Sequence, residues 1–150
     1  MIQPVSLGAR IPSPSRLMRD LRILFGLLDI GTRESCEFYF CDPDRMRDLN
    51  GRFRSRPHAT TVLSFEVPGG FPAGSATAIG EVYVCPEEIG RRPIPVAVHT
   101  GSVGFYEKLM YYIIHGVLHL RGYDHDRDWF SRKRMEQTEL LLWYRVCFRA

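Results

Sequence analysis

The amino-acid sequence predicts a single α+β domain over residues 1–150, a small sheet packed against helices. Three observations lead there. Short runs rich in aromatic and β-branched residues (EFYFC, TTVLSFEV and IGEVYVC) fall in the first part of the chain. Segments with apolar residues three and four apart lie at both ends. One stretch, FYEKLMYYIIHGVLHL, is apolar on nearly every side, as a helix is when the protein surrounds it.

In chain order, SPSRLMRDLRILFGLLD reads as a helix. Ser13 is placed to cap it, Pro14 suits the first helical position, and Leu17, Leu21, Leu24 and Leu28 form one apolar face. Gly31 is the expected stop. EFYFC (37–41) is a short strand. Asp42-Pro43-Asp44 then turns the chain into a short polar helix, RMRDLNGRF, with Met46, Leu49 and Phe53 on one side. TTVLSFEV (60–67) is the clearest strand, PGGFPAGSATA a loop, and IGEVYVC (79–85) a further strand. Residues 86–104 hold three prolines and three glycines, so a short turn of helix inside an irregular connection is expected. The apolar helix runs from about Gly104 to Leu120 and ends at Gly122. A last amphipathic helix begins near Asp128, with Met135, Leu142 and Val146 aligned.

Composition narrows the classes. With 45% hydrophobic and 25% charged residues the chain can build a core and is not a disordered polymer. A net charge of +3 permits a nucleic-acid partner without demanding one. No run approaches the roughly 20 apolar residues that span a bilayer, and MIQPVSLGARIPSPSR lacks the apolar core of a secretory signal. No membrane association and a cytoplasmic location are therefore expected. Cys36, Cys41, Cys85 and Cys147 form no CxxC pair and are read as reduced packing residues.

Chemistry concentrates in three histidines. His115 and His119 lie four apart on the apolar helix, so their rings leave the same face one turn apart. Gly122 accepts the left-handed angles of a sharp reversal, which lets His125 return towards them. Two histidines four apart also arise by chance in a packed helix. Here, however, both would be buried in apolar surroundings, which is costly for unpaired imidazoles, and three of the five histidines fall within eleven residues. Three nitrogens around one zinc ion leave a fourth position open, the pattern of a catalytic rather than a closed site. Zinc is preferred, although imidazole accepts several divalent ions. Gly116 stands where zinc peptidases of the HExxH type carry their glutamate base, which disfavours peptide hydrolysis.

HGVLHLRGYDH (115–125) closely resembles the HGxLHLxGYDH signature of the YbeY family of bacterial endoribonucleases and ribosomal RNA maturation factors. LNGRFR (49–54) resembles that family's LNxxFR, TTVLSF (60–65) its TDVLSF, and IGEVYV (79–84) its GDI-type strand. The resemblance runs from about residue 37 to the last helix. It implies a mixed sheet beside the metal-bearing helix, with His115, His119 and His125 as ligands of one zinc ion and Arg54 as the functional arginine. It also implies cleavage of single-stranded RNA, maturation of small-subunit ribosomal RNA, ribosome quality control, and the ribosome or its assembly factors as partners. Two departures stand out: Thr61 replaces one family aspartate and Glu81 another.

On a phosphodiester, zinc lowers the pKa of water from about 15.7 towards about 7, or polarises a phosphoryl oxygen. Arg54, with Arg52 or Arg56 beside it as RNA-binding candidates, is placed to meet the growing negative charge. RFRSR (52–56) taken alone reads first as a solvated basic turn, and only the family resemblance reverses that. No general base is visible in the signature, so water and the RNA 2′-hydroxyl both remain as nucleophile. Asp124 either holds a ligand imidazole from behind or caps the following turn. His58 and His99 are read as loop surface histidines, and Trp129 and Trp143 as packing residues. Arg127, Arg132, Lys133 and Arg134 read first as a solvated helix face, with an RNA-facing surface as the alternative. Two other functions compete: a zinc-containing ribosome-associated RNA-binding factor with little catalysis, and a metal-dependent hydrolase of another ester or amide.

Overall fold

The structure, a computed structural model, describes residues 1–67, 72–73, 76–94 and 103–149. The elements are β1 (Ile2–Leu7), α1 (Pro14–Leu27), β2 (Glu34–Cys41), α2 (Pro43–Arg54), β3 (Val62–Glu66), β4 (Pro72–Ala73), β5 (Ala76–Val84), α3 (Pro86–Arg91), α4 (Phe105–Leu120) and α5 (Trp129–Cys147). The sheet runs β1-β2-β5-β3, with β4 also paired to β5. β1, β2 and β5 are parallel, whereas β3 and β4 are antiparallel to β5, so the sheet is mixed.

Alternation along the strands sorts residues between the two faces. Cys36, Phe38, Phe40, Val82 and Val84 join α1, α3, α4 and α5 in the main core. On the opposite face Cys41, Leu63 and Cys85 meet Met46 of α2 in a smaller cluster. Among the described residues the cysteines are free: Cys36, Cys41 and Cys85 are buried and Cys147 is half-buried. Asp20 of α1 is fully buried and accepts from Tyr106 Oη and Arg149 Nη2, both at 3.0 Å, which ties α1 to α4 and to the segment after α5.

Several expectations need correction. Residues 2–7, to which the sequence reading assigns no element, form a strand that includes Pro4. β1 is an edge strand, where a proline's missing N–H is tolerated. The loop expected over 68–78 is already strand from Ala76, because Thr77 pairs with Glu34 on one side and Pro72 on the other. Ser13 occupies the N-cap of α1, but its left-handed backbone (φ 43°) is not the extended capping conformation, and its hydroxyl makes no capping bond. The helix ends with Leu28 as C-cap and Asp29 at positive φ, not at Gly31, and Phe25 takes the buried place expected of Leu28. Phe53 is 63% exposed and rests edge-on against Phe65 instead of entering a core. Trp143 packs as expected, with Nε1 donating to the Glu107 carbonyl at 2.7 Å, but Trp129 does not: it is 64% exposed. His99 lies outside the described residues.

One contact positions the site. A Cβ on Gly116 would lie 2.8 Å from Val62 Cγ2, 2.9 Å from Val82 Cγ1 and 3.0 Å from Ser64 Oγ. Only glycine lets α4 settle this close to β3 and β5. Ser64 Oγ then donates to the Gly116 carbonyl at 2.7 Å, fixing α4 to the sheet beside His115.

Candidate metal centre

α4 carries His115 and His119 to its C-terminal end, with ring centroids 4.7 Å apart and their Nε2 atoms 3.1 Å apart. The helix stops in a Schellman turn. Gly122, at φ +82°, donates to the His119 carbonyl at 3.0 Å, and Tyr123 N–H donates to the Leu118 carbonyl at 3.1 Å. This reversal returns His125, whose ring centroid lies 5.3 Å from that of His115 and 5.1 Å from that of His119. One nitrogen from each of the three lies within 4.8 Å of the others.

These residues fit a metal ion on two grounds of their own. Two nitrogens bound tetrahedrally at about 2.0–2.1 Å stand roughly 3.3 Å apart, close to the separation of the two Nε2 atoms. In addition, His125 Nδ1 is buried with no hydrogen-bond partner among the described residues, a costly arrangement that an ion relieves. A second grouping, Asp124, His125 and Asp126, shares His125 but is more exposed.

The surroundings keep the His119 imidazole neutral and hold the His115 ring in place. Burial, reinforced by the neighbouring His115 and His125, pushes the His119 pKa down to about 4. His115 Nδ1 pairs with Glu139 Oε1 at 2.5 Å, which leaves Nε2 to face His119. Glu139 is 4% exposed and accepts a second bond from Tyr111 Oη at 2.8 Å. Burial and that carboxylate push the Tyr111 phenol upward, so it remains a donor. A carboxylate behind a ligand histidine is the arrangement that fixes the tautomer and strengthens the ligand. The sequence expectation missed Glu139, yet a signal was present: it interrupts the apolar stripe Met135, Leu142 and Val146 with a charge.

The other candidates are distributed as follows. Asp124 Oδ1 accepts from the Asp126 N–H at 2.8 Å and so braces the turn, acting on His119 only through space. Arg54, the last residue of α2, reaches the Ser64 carbonyl with Nη2 at 3.4 Å, and Ser64 is the residue that holds Gly116. Arg52 turns back to Asp48 at 3.1 Å on the exposed face of α2. The Arg56 side chain is exposed beyond the helix end. His58 is exposed and held by Asn50, away from the three histidines. Glu81 accepts from Tyr83 Oη at 3.0 Å on the sheet. Thr61, 7% exposed, lines a groove of about 770 Å³ together with Tyr111, His115, His125, Arg132 and Glu139.

The family model described as Endoribonuclease YbeY matches residues 23–144. A Halorhodospira halophila protein named Endoribonuclease YbeY is 38% identical over 138 residues, covering 88% of this chain and 82% of its own length. One of the same name from a Chelativorans species is 35% identical, covering 70% of this chain, which spans 61% of that protein. A solution structure from Thermotoga maritima superposes with a TM-score of 0.60 at 26% identity, over 97% of this chain and 89% of that one.

Proposed function

Because the chain belongs to the YbeY endoribonuclease family, we propose that it is a zinc-dependent, single-strand-specific endoribonuclease of the cytoplasm. In this reading it matures small-subunit ribosomal RNA, serves ribosome quality control, and meets the ribosome or its assembly factors. One metal-dependent ribonuclease domain accounts for residues 1–150. The observation that carries the reading is the convergence of His115, His119 and His125, with the His125 Nδ1 orphaned and His115 held from behind by Glu139. Two further facts support the location: no helix among the described residues is long and apolar enough to cross a membrane, and free cysteines suit a reducing compartment.

A zinc ion bound there supplies Lewis-acid polarisation of a phosphodiester oxygen or acidification of a water molecule. The chain's own residues do the rest. His115 and His119, fixed on one rigid helix, set the direction of approach. Glu139 and Tyr111 keep the His115 ring from turning. Arg54, extending over the β3 backbone, carries the charge that meets the phosphate as negative charge develops. Arg52 and Arg56 add weaker attraction for the RNA backbone. Asp124 keeps the His125 turn in shape.

The test uses labelled single-stranded RNA with the purified protein, with His119→Ala and with chelator. Cleavage lost in both controls supports the reading. Cleavage that survives the chelator overturns the metal dependence. Arg54→Ala, with metal content verified, is expected to lower kcat by roughly two to three orders of magnitude; wild-type cleavage would remove its role. A 2′,3′-cyclic phosphate end identifies the RNA hydroxyl as nucleophile, whereas a 5′-phosphate with a 3′-hydroxyl identifies water.

One observation favours a second reading, a zinc-containing RNA-binding factor of the ribosome with little catalysis. Both carboxylates lining the groove are engaged, Glu136 with Lys133 and Glu139 with His115 and Tyr111, and Thr61 offers only a hydroxyl. RNA binding without metal-dependent cleavage is its signature.

A further inference from the structure

Two large aromatic side chains lie open at the start of α5. Trp129 is 64% exposed and Phe130 78%, and their rings meet edge to face with centroids 5.1 Å apart. Neither helps to hold the fold, and both expose apolar surface that water disfavours.

Their place on the helix shows what they adjoin. Trp129 precedes Arg132 by three residues, Lys133 by four and Glu136 by seven, so all four share one stripe of α5. Arg132, Lys133 and Glu136 line the groove that contains His115 and His125. Trp129 therefore sits one turn, about 5.4 Å of helix, beyond the end of that groove. Arg132 Nε lies 3.4 Å from the His125 carbonyl, so this first turn of α5 is tied to the loop bearing the third histidine.

Position and charge choose the occupant. Around the pair in the chain Arg127, Arg132, Lys133 and Arg134 outnumber Asp126, Asp128 and Glu136, which leaves a small positive balance; Lys133 pairs with Glu136, and Arg134 leans over Tyr123. The apolar patch is also small: two side chains, with Asp128, Ser131 and Arg132 beside them in the chain, fall well short of the roughly 800 Å² that a stable protein interface covers on each partner. Open aromatic faces set among guanidinium groups match a single-stranded nucleic acid, whose bases stack while its phosphates meet the cations.

We propose that Trp129 and Phe130 form a stacking platform for unpaired bases of the RNA strand that lies in the histidine groove. The proposal rests on RNA being the substrate, and it gives single-strand selectivity a physical source. In a duplex the base faces are already stacked on one another and are closed to the platform.

The test titrates the metal-loaded protein with a cleavage-resistant single strand, a 2′-O-methyl phosphorothioate oligomer of about ten nucleotides. A second oligomer has the same backbone but lacks bases. Binding of the first is expected to quench the fluorescence of exposed Trp129, and Trp129→Ala/Phe130→Ala to weaken it roughly tenfold or more. Trp129→Phe, which keeps an aromatic face, retains most of the affinity. The baseless oligomer binds wild type and the double variant alike. The platform is overturned if the double variant binds the base-bearing strand as tightly as wild type, or if it loses affinity equally for both oligomers. If wild type neither binds nor cleaves single-stranded RNA, the RNA reading falls and takes the platform with it. Normal cleavage by wild type with undiminished binding by the double variant removes the platform alone.

Discussion

A buried carboxyl group needs hydrogen-bond partners, and Glu139 has two, the His115 ring and the Tyr111 hydroxyl. Glu139→Gln keeps an acceptor oxygen but removes the charge that strengthens His115 as a ligand. Metal affinity, measured by competition with a calibrated chelator, is expected to fall about 10- to 100-fold; an unchanged affinity would deny Glu139 its role. His119 gives a prediction with a sign. Its folded-state pKa of about 4 lies below the ordinary 6.5, so the unfolded chain takes up the proton first. The metal-free protein should therefore lose stability as pH falls from about 6.5, with the His119 share fully lost below about 4. Thermal melts of metal-free wild type and His119→Gln over that window check this, and the variant should show the shallower decline. The convergence of the three histidines was legible because their placement depends on local spacing and on Gly122. Glu139 showed only as a charge on an apolar stripe; its pairing with His115 was not legible, because that partner lies 24 residues away, across a helix pair that sequence periodicity does not align.

At the scale of elements, the fit of α4 onto the sheet depends on a missing side chain. Gly116→Ala gains about 1 kcal/mol of helix propensity. It also forces a methyl to within 2.8–3.0 Å of Val62, Val82 and Ser64, and overpacking of that kind costs about 1–3 kcal/mol. A net loss of about 1 kcal/mol is expected in chemical denaturation, and a gain in stability would show that α4 can lift off the sheet freely. The same contact explains why a glutamate base has no room at this position. Elements with strong local patterns were legible: β2, β3 and β5 from aromatic and β-branched runs, α4 from its apolar length, α5 from Met135, Leu142 and Val146. β1 was hidden by Pro4, whose meaning depends on lying at a sheet edge. Ser13 reads as a cap yet makes no capping bond, whereas Asp42, read only as part of a turn, accepts from the Arg45 N–H at 2.8 Å, because capping needs an extended backbone as well as a residue type.

Across the whole molecule, the histidine cluster joins pieces that packing alone holds less firmly. His115 and His119 come from α4, His125 from the following turn, and Glu139 extends the connection into α5. An ion bound there at a hundred times its dissociation constant adds about 2.7 kcal/mol to stability. Stripping it with chelator should thus lower Tm by roughly 5–10 °C for a chain of this size, and zinc should restore the loss. An unaltered melting curve would mean that the cluster holds no ion in solution. The fold class was legible from the order of elements, and the mixed sheet only through family resemblance. Strand order was not, since β2 and β5 pair residues some forty positions apart and no local pattern encodes that choice.

The buried sulfurs have a practical consequence. Burial pushes the Cys36 and Cys41 thiols up to about 12, and the half-buried Cys147 as far, so almost no thiolate exists at neutral pH to attack an alkylating reagent. Each becomes reactive only when its own surroundings open. The rates at which the separate sulfurs are labelled therefore act as built-in clocks, Cys36 for the main core, Cys41 for the α2 side of the sheet and Cys147 for the end of α5.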